Sequence, residues 1–169
     1  MTITWTERQP LIRPEAGAAS GFFGGELVVA GGTVWDGDTK LWLKDVQIYH
    51  PSKNAWRSGP ALPVSLAYGP FVDSQDGLEI FGGSDGTKIY RESWKLDASK
   101  SKWQPSGTLP GDLLLGRAAK VGNSVYLLGG CPDVADLTKC TDSVWRRDGG
   151  GPWRRVSTLP GGALALPAI

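Results

Sequence analysis

Asp85 and Arg91 stand six residues apart in the stretch Ser84-Asp85-Gly86-Thr87-Lys88-Ile89-Tyr90-Arg91. A carboxylate and a guanidinium at that spacing on a hairpin loop can converge on one small ligand. Arginine grips a carboxylate through two parallel N–H donors, and aspartate can move a proton as general acid or base. The alternative is a loop salt bridge of about 0–1 kcal/mol. Around this pair stand further unrepeated side chains. Arg117 either reaches toward a central channel or ties to backbone carbonyls, and Trp35 and Trp42 either stack on a sugar ring or pack their own loop. Tyr68, in Leu66-Ala67-Tyr68-Gly69, is placed to line the same mouth. Cys131 and Cys140 flank another loop, where both a disulfide and two free thiols are open; a disulfide would imply an oxidising compartment. His50 is the single histidine, and the cysteine spacing does not suit zinc, so no metal site and no cofactor are expected.

What must position these residues is a repeat. Trp5, Trp56, Trp103 and Trp153 each precede a leucine (Leu11, Leu62, Leu109, Leu159) by six residues, at intervals of 51, 47 and 50 residues. In the last three copies proline follows the leucine: Pro63, Pro110 and Pro160. A period near 50 residues marks a supersecondary unit that buries its faces only by stacking on copies of itself. In register with tryptophan, apolar runs end in double glycine at Gly31-Gly32, Gly82-Gly83 and Gly129-Gly130. An acid stands eleven residues before each later tryptophan: Asp45, Glu92 and Asp142. Their recurrence points to a shared hydrogen bond in every copy, because a catalytic group is needed only once.

Helical periodicity is absent, and short β-type runs separated by turn-rich pieces give four antiparallel strands per repeat, a to d. Strand a covers Ala16–Phe23, Leu66–Val72 and Gly116–Val121, b runs into Gly-Gly, c holds Tyr49, Leu96 or Arg146, and d carries the tryptophan. In such a meander the long b–c connections, residues 32–44, 83–91 and 130–141, emerge on one face, where binding is expected.

Composition excludes several classes. The 169 residues carry a formal charge of +1 with acids and bases interspersed, so neither nucleic acid nor anionic membrane is an expected partner. No apolar stretch approaches the roughly 20 residues of a membrane helix. Nothing in Met1-Thr2-Ile3-Thr4-Trp5 reads as a secretory signal, which leaves the compartment open.

These landmarks resemble the kelch repeat: apolar run, Gly-Gly, variable loop, an aromatic on the third strand and tryptophan on the fourth. Tyr49 and Trp56 match the aromatic pair in the first copy, whereas Leu96 and Arg146 depart from it. The resemblance implies an all-β, kelch-type β-propeller. Residues 14–63, 64–110 and 111–160 are three complete four-stranded blades; 1–13 is the outer strand of a preceding blade and 161–169 the inner strand of a following one. Propellers close with about four to eight blades. Leaving several hundred Å² of apolar surface wet on each open flank forfeits about 10 kcal/mol, comparable to the stability of a whole domain. The expectation is therefore half or a fragment of a roughly six-bladed ring, completed by another chain or by further sequence.

Within kelch proteins the chain resembles the N-terminal half of the bacterial sialic acid (N-acetylneuraminate) mutarotases and epimerases. The matching stretches are Leu27-Val28-Val29-Ala30-Gly31-Gly32, Lys40-Leu41-Trp42-Leu43-Lys44-Asp45, Leu66-Ala67-Tyr68-Gly69 and Gly82-Gly83-Ser84-Asp85. That group is thought to use an acid and an arginine in a b–c loop. The resemblance implies that Asp85 and Arg91 are catalytic, with Asp in place of the usual Glu, and that no metal or coenzyme is needed. The implied activity is interconversion of the anomers of N-acetylneuraminate or a related sugar by acid/base catalysis. Two alternatives stand beside it: a kelch module presenting its loops to a protein partner, and an incomplete propeller without activity of its own.

Overall fold

The computed structural model describes residues 2–165. The strands in the middle of each blade carry apolar residues on both faces, as in Leu27-Val28-Val29-Ala30 and Ile80-Phe81, so a blade offers apolar side chains to both neighbours. In the first blade, strands β1 (Ala19–Phe23), β2 (Glu26–Ala30), β5 (Val46–His50) and β6 (Ala55–Ser58) form a four-stranded antiparallel sheet. Its long b–c connection is a two-stranded hairpin, β3 (Thr33–Asp36) and β4 (Thr39–Trp42). The second blade holds β7 (Phe71–Ser74), β8 (Gly77–Ser84), β9 (Ile89–Asp97) and β10 (Trp103–Thr108). The third holds β11 (Arg117–Val121), β12 (Ser124–Leu128), β13 (Ser143–Asp148) and β14 (Arg154–Thr158). The innermost strands β1, β7 and β11 lie side by side around the axis.

Val28, Ala30, Val46 and Ile48 of the first blade meet Leu78, Ile80, Trp94 and Leu96 of the second in one buried cluster. Phe81 turns the other way and packs with Val125 and Leu127 of the third blade. The repeated leucines tie each d–a connection to its own blade: Leu62, Leu109 and Leu159 donate their N–H groups to the carbonyls of Lys44, Arg91 and Asp142. The tryptophans tie neighbours together. Trp103 Nε1 donates to the Pro60 carbonyl (2.9 Å), and Trp56 Nε1 donates to that of Gln9 (2.8 Å). Gly31 shows why the motif needs glycine. Its φ is +71°, and a Cβ there would stand 2.2 Å from the Leu66 carbonyl oxygen.

Several details differ from the sequence expectation. The second inner strand begins at Phe71 rather than Leu66, because residues 66–70 form an approach in which only Ala67 bridges, to Ser84. In the third blade Arg147, not Arg146, occupies the Tyr49 and Leu96 position: Leu27 pairs with Tyr49, Leu78 with Leu96 and Val125 with Arg147. The third blade spends one residue more before this position and one fewer in the turn after it. The three repeated acids share no common hydrogen bond. Asp45 pairs with Arg13, Glu92 with Lys88 and Asp142 with Arg155.

Residues 2–13 pair with no strand among the described residues, and Trp5 is 90% exposed. Residues 9–13 instead line the outer flank of blade 1: Gln9 bonds to Asn54 and Trp56, and Gln47 holds both backbone groups of Arg13. At the other end, Gly130 donates to the Leu164 carbonyl as Gly32 does to that of Leu66. The remainder of the expected inner strand, 166–169, lies outside the described residues.

Glu15 breaks the repeat. The bridges Ala16–Thr33, Ala67–Ser84 and Leu114–Cys131 align it with Leu66 and Leu113, both buried. Among the described residues neither Glu15 carboxylate oxygen has a hydrogen-bond partner in good geometry, the Gln47 amide nearby being taken up by the Arg13 backbone. Burial, reinforced by the charge of Asp45, raises its pKa to about 7. The folded protein thus holds this proton to higher pH than the unfolded chain, and stability falls as pH rises from about 4.5 through 7. Glu15→Leu is expected to remove that decline and to add about 0.5–2 kcal/mol at pH 8, read by urea melts at pH 5 and 8.

Candidate functional site

The b–c face between blades 1 and 2 gathers aromatic rings around one ammonium. The β3–β4 pairing sets Thr33 opposite Trp42 and Trp35 opposite Lys40, which puts all four side chains on one face of the hairpin. Lys40 Nζ lies 5.1 Å from the Trp42 ring, 6.0 Å from that of Trp35 and 5.0 Å from that of Tyr68. It also donates to the Tyr68 hydroxyl at 2.6 Å, and Thr33 Oγ1 stands 3.4 Å from the same oxygen.

Tyr68 is held in an unusual backbone state, with φ +66°. Its N–H bonds to the Gly17 carbonyl, and its carbonyl accepts from Leu115, so it links the approaches to all three inner strands. Gly17 leaves room for the ring: a Cβ there would lie 2.5 Å from it. Burial pushes the phenol's pKa up. The Lys40 and Thr33 hydrogen bonds and the Lys40 charge outweigh it, leaving the net value below the usual tyrosine range. The Trp42 ring packs against Gly86 of the second b–c loop, where a Cβ would lie 2.6 Å from it, and its buried indole N–H has no acceptor among the described residues. Trp35 is 64% exposed, which makes the cluster an open platform.

Asp85 and Arg91 do not meet here. Asp85 accepts from the N–H and hydroxyl of Thr87, the N–H of Lys88 and the hydroxyl of Tyr90, at 2.7–2.8 Å. Those donors, the Lys88 N–H foremost, hold its carboxyl far below the usual carboxylate range. Its direct effect is to shape the loop on which Trp42 rests. Arg91 pairs with Asp112 of the next connection at 2.6 Å. Arg117 begins β11, two residues after Leu115, and has no ion pair among the described residues. It lines an axial groove of about 370 Å³ with Phe71, Asp73 and Lys120.

Cys131 and Cys140 form a disulfide that closes the third b–c loop, and Cys131 is fully buried. Closing so short a loop contributes about 2–3 kcal/mol. Cys140→Ser, or reduction, is expected to lower stability by that amount in thermal melts and to increase amide exchange across residues 132–139. Residues 32–44 read from the sequence only as a long b–c connection, which leaves Lys40 and Thr33 unplaced. Gly37-Asp38, between the paired Asp36 and Thr39, is a two-residue hairpin-turn signal, and alternation along β4 puts Lys40 on the same face as Trp42.

Known proteins bear on this arrangement. The Kelch motif matches residues 16–63. Kelch repeat and BTB domain-containing protein 8 of Danio rerio is 27% identical over 128 residues, 75% of this chain and 20% of that protein. N-acetylneuraminate epimerase 1 of Escherichia coli O6:H1 is 30% identical over 104 residues, 52% of this chain and 28% of that protein. The solved structure of YjhT matches with a TM-score of 0.77 at 18% identity, covering 89% of this chain and 54% of that one. The chain thus spans less than a third of these curated relatives and about half of YjhT. It is built of kelch-type β-propeller blades, with a Kelch motif in the first, and resembles an N-acetylneuraminate epimerase in sequence and YjhT in fold.

Proposed function

We propose that the b–c face binds a sugar acid of the N-acetylneuraminate type and interconverts its anomers by proton transfer, with Tyr68 and Lys40 as the reacting pair. The observation that carries this reading is the 2.6 Å bond from Lys40 to a hydroxyl whose pKa is lowered, beside two tryptophans. The Tyr68 phenolate takes the proton of the anomeric hydroxyl as the ring C–O bond breaks. The Lys40 ammonium protonates the departing ring oxygen, and the open-chain keto acid recloses on either face by the reverse steps. Trp35 and Trp42 stack on the sugar ring, and the unpaired Arg117 guanidinium takes the carboxylate. Asp85 and Arg91 act indirectly, by shaping and anchoring the second loop. The sequence match to N-acetylneuraminate epimerase 1 supports the substrate class. Working blades on both flanks, from another chain or from further sequence, complete the ring.

Saturation-transfer NMR on N-acetylneuraminate tests this directly: the protein should accelerate anomer exchange, and Arg117→Met should weaken substrate binding about tenfold or more. Exchange at the uncatalysed rate with the completed wild-type ring would sink it. A second reading, a module that binds other proteins, draws on the match to a kelch and BTB protein over 75% of the chain. It predicts no thermal shift on adding the sugar.

A further inference from the structure

The third blade lacks one bond that its neighbours make. Trp56 and Trp103 each donate their indole N–H to a main-chain carbonyl, that of Gln9 or Pro60, four residues past the previous repeat tryptophan. By the same count Gly107 should serve Trp153. β10 instead carries a register shift between Pro105 and Gly107, and Gly107 has φ +132°. Among the described residues the Trp153 indole N–H has no acceptor. A cleft of about 420 Å³ opens there, lined by Ser106, Gly107, Pro110, Arg147, Gly150 and Trp153 among others.

Two more polar atoms around this cleft are unsatisfied: Ser106 Oγ and Arg147 Nε, both buried. Arg147 is only 6% exposed and lies over the Trp153 ring at 5.0 Å. Buried polar atoms without partners are uncommon in native proteins and ask for one. The Trp153 indole N–H, beside its own aromatic face and next to these enclosed atoms, calls for an oxygen acceptor carried on an apolar group. The fold shows its own solution twice. The carbonyl that fills this position belongs to extended chain containing proline, Gln9-Pro10 in one copy and Gly59-Pro60 in the other.

We propose that the cleft between β10 and the β13–β14 turn is a docking site for an extended, proline-containing peptide segment, whose main-chain carbonyl accepts from Trp153 while its proline ring lies on the indole. The site is at the outer rim between blades 2 and 3, apart from the Lys40–Tyr68 platform, and stands or falls independently of it.

The probe is the tetrapeptide Ser-Gly-Pro-Ala, the sequence of residues 58–61, with blocked ends. Its titration is followed on the indole N–H resonance that disappears in Trp153→Phe. The expected result is a saturable downfield shift with a Kd of about 1 mM. Three outcomes would overturn the proposal: no shift at saturating peptide, an equal shift with proline-free Ser-Ala-Ala-Ala, or an equal shift with N-acetylneuraminate. The last would make the cleft a sugar site.

Discussion

Arg147→Ala is expected to destabilise the protein by about 3–5 kcal/mol, the usual cost of removing one partner of a buried ion pair. The guanidinium holds both Glu79 oxygens at 2.8 Å and the Ser106 carbonyl at 3.0 Å, and it lies 5.3 and 5.0 Å from the rings of Phe81 and Trp153, which pack edge to face on each other. The side chains of Arg147 and Glu79 are only 7% and 12% exposed. Alanine would leave the Glu79 carboxylate buried between blades 2 and 3 without a counter-ion. Urea denaturation should therefore show a large fall in midpoint, with Glu79→Ala close behind. Arg147→Met combined with Glu79→Leu should recover most of the loss, since the pair's own net contribution is small once both desolvation terms are removed. A loss below about 1 kcal/mol for Arg147→Ala would mean that water reaches the carboxylate and that the pair does not couple the blades.

Tyr68→Phe should lower the anomer-exchange rate by about 100-fold or more, the contribution of one positioned acid/base group. Phenylalanine keeps the ring that fills the space over Gly17 and loses only the hydroxyl, so stability should change little. Lys40→Met removes the charge that lowers the phenol's pKa and should give a comparable loss. Because the reacting form is the phenolate, the wild-type rate should rise with pH toward a pKa below that of free tyrosine. In Lys40→Met the rise should move to higher pH. An unchanged pH profile in Lys40→Met would separate the two residues and remove Lys40 from the mechanism.

The blades were legible in the sequence because their signals are periodic. Trp56, Trp103 and Trp153, the double glycines and the buried leucines recur in register, and each repeat pays the same packing constraint. What escaped was whatever broke the period. The slip from Arg146 to Arg147 arises from a shorter turn before Trp153, and turn length leaves no mark in a pattern aligned on the acids and tryptophans. Glu15 hides because its counterparts in the other blades, Leu66 and Leu113, lie 51 and 98 residues away in sequence, outside the tryptophan and double-glycine landmarks. For Asp85 and Arg91, spacing alone gave proximity. Local donors captured the aspartate and Asp112 captured the arginine, and both competitors are visible only in three dimensions. Trp35, Trp42 and Tyr68 do gather on one face, and the cation that unites them came from the hairpin.

Gln9 beneath Trp56 and Leu164 against Gly130 have a consequence for assembly. If two identical molecules were laid head to tail to make a six-bladed circle, each junction would receive two claimants. The residues following β14 of one copy and the residues preceding β1 of the other would compete for a single groove. A symmetrical pair can close only by evicting one tail per joint, so mixing two tagged copies should yield no stable heteromer at micromolar concentrations unless those tails are trimmed.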